Sequence, residues 1–140
     1  MLRADPCGRR LPLWTRLTLM VGVAGLIGSS AQAAKVTELQ SRPLAGVPGK
    51  EGTMILVEYA PGDVDPIHRH DASVFLYVLE GTIIMQVKGG KRVTLHPGQT
   101  YFEGRNDVHI VGQNASRTKT AKFVAVLVKD KGAPIVMPVK

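Results

Sequence analysis

The stretch GDVDPIHRHDASVFLYVLEG, Gly62 to Gly81, decides how the chain is read. It sets His68 and His70 two residues apart and then turns strongly β-prone from Val74 to Leu79. Side chains alternate across a strand, so histidines at i and i+2 project to the same face. Two neutral imidazoles side by side on an inward face supply half of a metal site. The competing reading is a pair of exposed loop histidines flanking Arg69. The surroundings weigh against it: Gly62 precedes His68 by six positions, and Glu80-Gly81 closes the strand with turn chemistry.

This pattern resembles the first motif of the cupin superfamily, Gly-x5-His-x-His-x3-Glu-x6-Gly. Gly62, His68, His70 and Gly81 occupy its positions, and Val74 stands where the motif has Glu. The second motif, Gly-x5-Pro-x-Gly-x2-His-x3-Asn, follows after a short linker. Gly98 and His109 fit it, while Gly104, Asn106 and Gln113 replace its Pro, Gly and Asn. Two motifs in the right order are far more specific than either alone. The resemblance runs from about Val36 to Asp130. It implies an all-β fold, a single-domain cupin jelly-roll β-barrel, with a metal site inside.

In that pattern His68, His70 and His109 correspond to metal ligands. The carboxylate missing at Val74 leaves two alternatives. One is a bare three-His centre, similar to those of thiol and diketone dioxygenases within the superfamily. The other recruits Glu103, which shares a strand face with Tyr101 by period-2 alternation. A carboxylate on an inner barrel face is costly unless paired or metal-bound. The competing placement twists Glu103 out to solvent beside Arg105. Tyr101, Gln113 and Val74 are the candidate substrate-binding residues, and His96 belongs on the surface in its turn before Pro97-Gly98. The implied cofactor is a divalent transition metal, with iron favoured and zinc, manganese, copper and nickel open. The function so implied is a mononuclear metal-dependent oxidoreductase, dioxygenase-like, acting on a small organic molecule. The alternative is a non-catalytic module that holds a small molecule or a metal.

The rest of the chain agrees with one exported domain. Its 140 residues allow a single domain with a proper core. Of the formal charge of +7, residues 1–33 carry +3, from Arg3, Arg9, Arg10 and Arg16 against Asp5. The remaining +4 is spread without a Lys/Arg run or interleaved aromatics, which is no nucleic-acid signature. Residues 1–33 read as a signal peptide: a basic start, an uncharged apolar stretch from Leu17 to about Ile27, and Ala31-Gln32-Ala33 as the small-x-small cleavage pattern. The stretch is short for a membrane span, so no stable anchor is expected, and Arg9-Arg10 leaves a twin-arginine route open beside the general one. A periplasmic or secreted location follows. Cys7, the only cysteine, would leave with the leader, so the domain at 34–140 has no disulfide. A homodimer remains an open alternative to a monomer.

From Ala34 onward, short apolar runs alternate with Gly, Pro and Asp. Strands are predicted at Val36–Leu39, Thr53–Tyr59, through the His-x-His stretch, at Thr82–Lys88 and Arg92–Leu95 as a hairpin, and then at Thr100–Glu103, Val108–Val111 and Ala121–Val128. An edge strand in the tail Ala133–Val139 is also open. Asn114-Ala115-Ser116 matches a glycosylation acceptor, a weak signal. There is no nucleophile elbow and no phosphate-binding loop.

Overall fold

Runs rich in Val, Ile, Leu and Thr, cut at short intervals by Gly and Pro, favour a pleated, half-buried surface over a helix. The computed structural model describes residues 33–139, so the leader read over residues 1–33 lies outside it except for Ala33. The described chain forms ten strands: β1 (Lys35–Pro43), β2 (Lys50–Tyr59), β3 (His68–Arg69), β4 (Ala72–Glu80), β5 (Ile83–Val87), β6 (Val93–Leu95), β7 (Thr100–Glu103), β8 (Val108–Asn114), β9 (Ala121–Asp130) and β10 (Met137–Pro138).

They assemble into two five-stranded antiparallel sheets. The first has the order β1-β2-β9-β4-β7 and the second β10-β3-β8-β5-β6. Period-2 alternation is clearest on β9, where Ala121, Phe123, Ala125 and Leu127 point inward and the residues between them are half-buried. These meet Ile55, Val57 and Tyr59 from β2, Val74, Leu76 and Val78 from β4, and Ile83 and Met85 from the facing sheet. Each Val, Leu, Ile, Phe or Met among them contributes about 1.5–3 kcal/mol on burial. The outer face of the first sheet is less polar than a solvated face usually is, with Phe75, Tyr77, Leu79 and Phe102 all about half exposed.

The expectation of one continuous strand from His68 through Leu79 is corrected. β3 belongs to the second sheet and β4 to the first, so the chain changes sheets at His70-Asp71. The corner is held by polar contacts that a spacing argument cannot supply. Asn106 N–H donates to the His70 carbonyl at 3.0 Å, and Arg105 bonds both Asp71 and Asp130. The two imidazoles still point the same way, because both are buried on the inner side of the corner. The tail does add an edge strand: β10 pairs with β3, setting Met137 against Arg69 and Pro138 against His68.

Gly81 shows why the turn from β4 to β5, which lie in different sheets, needs glycine. Its φ is +74°, and a Cβ there would stand 2.7 Å from Ala121 Cα. Both the left-handed backbone and the close strand crossing exclude a side chain. Gly81→Ala is therefore expected to cost more than about 1 kcal/mol, since native φ is incompatible with Ala. Urea unfolding checks this: the midpoint should fall while the m-value stays unchanged.

Candidate metal centre

The second sheet brings two histidines together through its hydrogen-bond register. His109 on β8 lies directly opposite His68 on β3, as its ladder partner rather than across the barrel. Directly opposed residues hold their Cβ atoms about 4.5–5.5 Å apart, and the two rings meet edge to face with centroids 4.9 Å apart. His70, at the corner, meets His68 in the same manner at 4.9 Å.

Backbone carbonyls fix the tautomers of two of the three rings. His68 Nδ1 lies 2.8 Å from the Pro66 carbonyl, and His70 Nδ1 bonds the Ile135 carbonyl. A carbonyl only accepts, so the ring proton of each sits on Nδ1 and each Nε2 presents a lone pair. Those two Nε2 atoms face each other at 3.2 Å, and His109 Nδ1 stands 3.4 Å from His68 Nε2. Facing lone pairs repel unless a proton or a cation lies between them.

The carboxylate comes from the first sheet. Glu103 on β7 is the ladder partner of Val74 on β4, so it stands one strand over from the position where the resembled motif has Glu, on the same inner face. It is 3% exposed, which removes the alternative of a solvated carboxylate beside Arg105. Its Oε2 is 3.6 Å from His70 Nε2, and its Oε1 is 3.9 Å from His109 Nδ1. Two buried atoms in this group, Glu103 Oε2 and His109 Nε2, have no hydrogen-bond partner. A buried polar atom left unpaired costs about 1–3 kcal/mol.

No three or more His, Cys, Asp or Glu side chains among the described residues are already closed around one point. The neighbouring donors stand 3.2–3.9 Å apart, against roughly 3.3 Å for ligands held tetrahedrally at zinc–imidazole bond lengths. Converging imidazole lone pairs and an orphaned carboxylate oxygen fit a divalent transition ion, which takes nitrogen and oxygen donors.

The four side chains sit at the wall of a cavity of about 190 Å³. Val74 lines it, together with apolar residues such as Val57, Leu76, Met85 and Phe123. Tyr101 and Gln113 are not among the lining residues: Tyr101 packs against the edge of the core, and Gln113 forms a bridge with Val64. His96 is exposed and contacts Thr82.

Asn114 takes the inward place that the motif alignment gives to Gln113. Gln86 pairs with Val111 but Val87 with His109, so Ile110 is an extra residue on β8. Such a bulge exchanges the two faces of the strand beyond it. Asn114 is accordingly 5% exposed, and its Nδ2 donates to the carbonyls of Ala60 and Lys119. That burial also takes it away from the glycosylation reading.

Asp65 is the functional-site residue that sequence reasoning missed. It lines the cavity, and its carboxylate accepts from the Tyr59 hydroxyl at Oδ2 and from Ala34 N–H at Oδ1, the latter at 3.2 Å. Gly112 leaves room for this cluster: a Cβ there would stand 2.9 Å from the His109 ring and 3.1 Å from Asp65 Oδ2. The only sequence signal was an acidic residue before Pro66, which also suits a turn.

Residues 55–127, just over half of the chain, match the family model described as the cupin domain. The chain belongs to the cupin family. Solved structures agree on the fold of this cupin. A conserved protein with a double-stranded β-helix domain from Klebsiella pneumoniae is 17% identical with a TM-score of 0.60, over 79% of this chain and 89% of its own. The DMSP lyase DddQ from Ruegeria pomeroyi is 15% identical with a TM-score of 0.61, over 76% of this cupin but 52% of the lyase. An oxalate oxidase in complex with the substrate analogue glycolate is 25% identical with a TM-score of 0.58, over 79% of this cupin and 57% of the oxidase. The cupin thus spans a little over half the length of these two enzymes. No curated protein matches it.

Burial governs protonation when no cation is bound. Desolvation, helped by the charges of Asp107 and Asp65, pushes the Glu103 carboxyl up to about 7. Desolvation lowers His70, and with His68 and His70 nearby it brings His109 down to about 4. A raised carboxyl stabilises the fold below its ordinary pKa of 4.5 and loses that contribution as pH rises through about 7. The depressed His109 acts oppositely: its contribution is complete above 6.5 and is lost as pH falls through about 4. Metal-stripped Glu103→Gln should therefore gain on the metal-stripped wild type as pH rises from 4.5 to above 7. The gain is expected to reach at most roughly 3 kcal/mol, from one pKa unit being about 1.4 kcal/mol. Urea unfolding in the presence of a chelator, across that range, checks it.

Proposed function

We propose that this cupin is an exported, mononuclear metal-dependent oxidoreductase that acts on a small chelating organic molecule. The observation that carries this reading is the orphaned Glu103 oxygen facing the His70 lone pair, which itself faces that of His68, at the wall of an apolar cavity. His68, His70, His109 and Glu103 would hold the metal. When bound, it would supply a Lewis-acid and redox centre with positions open to oxygen and substrate.

The chain's own residues do the rest. The Pro66 and Ile135 carbonyls keep the His68 and His70 protons on Nδ1, so that in the neutral ring Nε2 carries the lone pair a metal takes. Val74, Leu76 and Phe123 exclude bulk water and give the ligand an apolar seat. Volume selects the substrate class. A cavity of about 190 Å³ is little larger than the ~150 Å³ site that takes benzene. Small acids, thiols and short diketones therefore suit it, and large aromatic polyols do not. The likeness to an oxalate oxidase holding glycolate supports a small carboxylate within that class.

Two tests follow. Metal analysis of the purified protein should find close to one transition ion per chain, with His109→Ala and Glu103→Gln each weakening affinity by about tenfold or more. An unchanged metal content in Glu103→Gln would leave a three-His centre. Iron-, manganese- and copper-loaded protein should then consume oxygen only when glycolate, oxalate, a short diketone or a small thiol is added. Tight binding of such a molecule without turnover in any metal form would make this a binding module instead.

The export reading rests on the basic start, the apolar stretch and Ala31-Gln32-Ala33. Mass spectrometry of the exported protein is expected to give a chain that starts at Ala34. Full-length protein in the membrane fraction would overturn it.

A further inference from the structure

The bond between Ala33 and Ala34, where the leader is expected to be cut, lies in the cavity wall. Both residues line the same cavity as His68, His70, His109 and Glu103. Ala34 is half-buried against the core, and its backbone N–H already points at Asp65 Oδ1, 3.2 Å away. Asp65 is held from its other side by the Tyr59 hydroxyl, which is fully buried. In the uncut chain this nitrogen is a neutral amide with a single proton to give. In the cut chain it is a primary amine, cationic at neutral pH and carrying three donors.

We propose that cleavage after Ala33 turns the new chain end into a binding group of the cavity: the Ala34 α-ammonium, held by the Asp65 carboxylate, is a cationic donor for a small anionic ligand. The inference rests on the export and small-ligand readings above and extends them to a group that no side chain supplies. Only one of the three ammonium protons is needed for Asp65 Oδ1, which leaves two for a ligand in the cavity that Ala34 lines. Removing Ala33 also clears the space that this residue occupies in the wall. A charged donor makes hydrogen bonds roughly twice as strong as a neutral one. Apart from the histidines, the two carboxylates and Tyr59 the lining is apolar, so no lysine or arginine faces an incoming anion in the cavity.

The test compares two chains, each with Asp or Asn at position 65 and each stripped of metal. One is the exported protein that starts at Ala34, and the other retains Gln32-Ala33 ahead of it. The chain starting at Ala34 is expected to melt several degrees higher, and Asp65→Asn should erase that difference, since only a coupled pair gives a non-additive cycle. Its α-amine should titrate above the ordinary value of about 8 and return to it in Asp65→Asn. Glycolate, followed by chemical-shift titration, should bind about tenfold or more weakly to the longer chain, the loss expected for a charged hydrogen bond. Additive effects on melting, or the same glycolate affinity (or none) in both chains, would overturn the proposal. Because no metal is present, those failures are separate from failure of the metal centre, which the metal content of His109→Ala decides alone.

Discussion

Glu103 on the first sheet faces His70, at the corner where the chain passes between sheets, 3.6 Å away and almost without solvent. The arrangement of the barrel interior follows from that confrontation. A carboxylate and three imidazoles are expensive guests in an apolar core, and here three of the four are set by strand pairing. His68 and His109 occupy one rung of a β ladder, and Glu103 shares another with Val74. Neither pair can drift without breaking backbone hydrogen bonds. The barrel thus holds its polar atoms close together even though two of them lack partners. That is the condition under which a cation, once bound, repays desolvation already incurred in folding.

The strand pattern was legible in the sequence because turns are written in local chemistry. Glu80-Gly81, Gly89-Gly90 and Pro97-Gly98 each separate runs that become strands. The histidine pair was legible from its spacing, although the reason first given for their common face, a shared strand, does not hold: the chain bends between sheets at His70. Glu103 was legible as an inward residue from its alternation with Tyr101, and it is buried. Its position beside Val74 was not, because strand pairing is a long-range property that no local pattern encodes.

Other features were illegible for physical reasons. The extra residue at Ile110 moves the inward face from Gln113 to Asn114, and a bulge leaves no reliable mark in a single sequence. Asp65 gains its place only through Tyr59 and Ala34, one on a neighbouring strand and the other 31 residues away. Tyr101 shares its strand face with Glu103, yet it lies nearer the barrel edge and away from the cavity.

The tail contributes more than an edge strand. The Ile135 carbonyl sets the His70 tautomer, and Ile135 and Val136 form part of the wall of the same cavity that Ala34 lines. Ends of a domain are ordinarily the safe places to attach a purification handle or a fusion partner. Here the segments at Ala33-Ala34 and at Ile135-Val136 both line the cavity. A handle fused directly before Ala34 or after a shortened tail would alter the chamber being assayed, whereas the exposed hairpin at Gly89-Gly90, between β5 and β6, contains none of the cavity-lining residues and offers an insertion point.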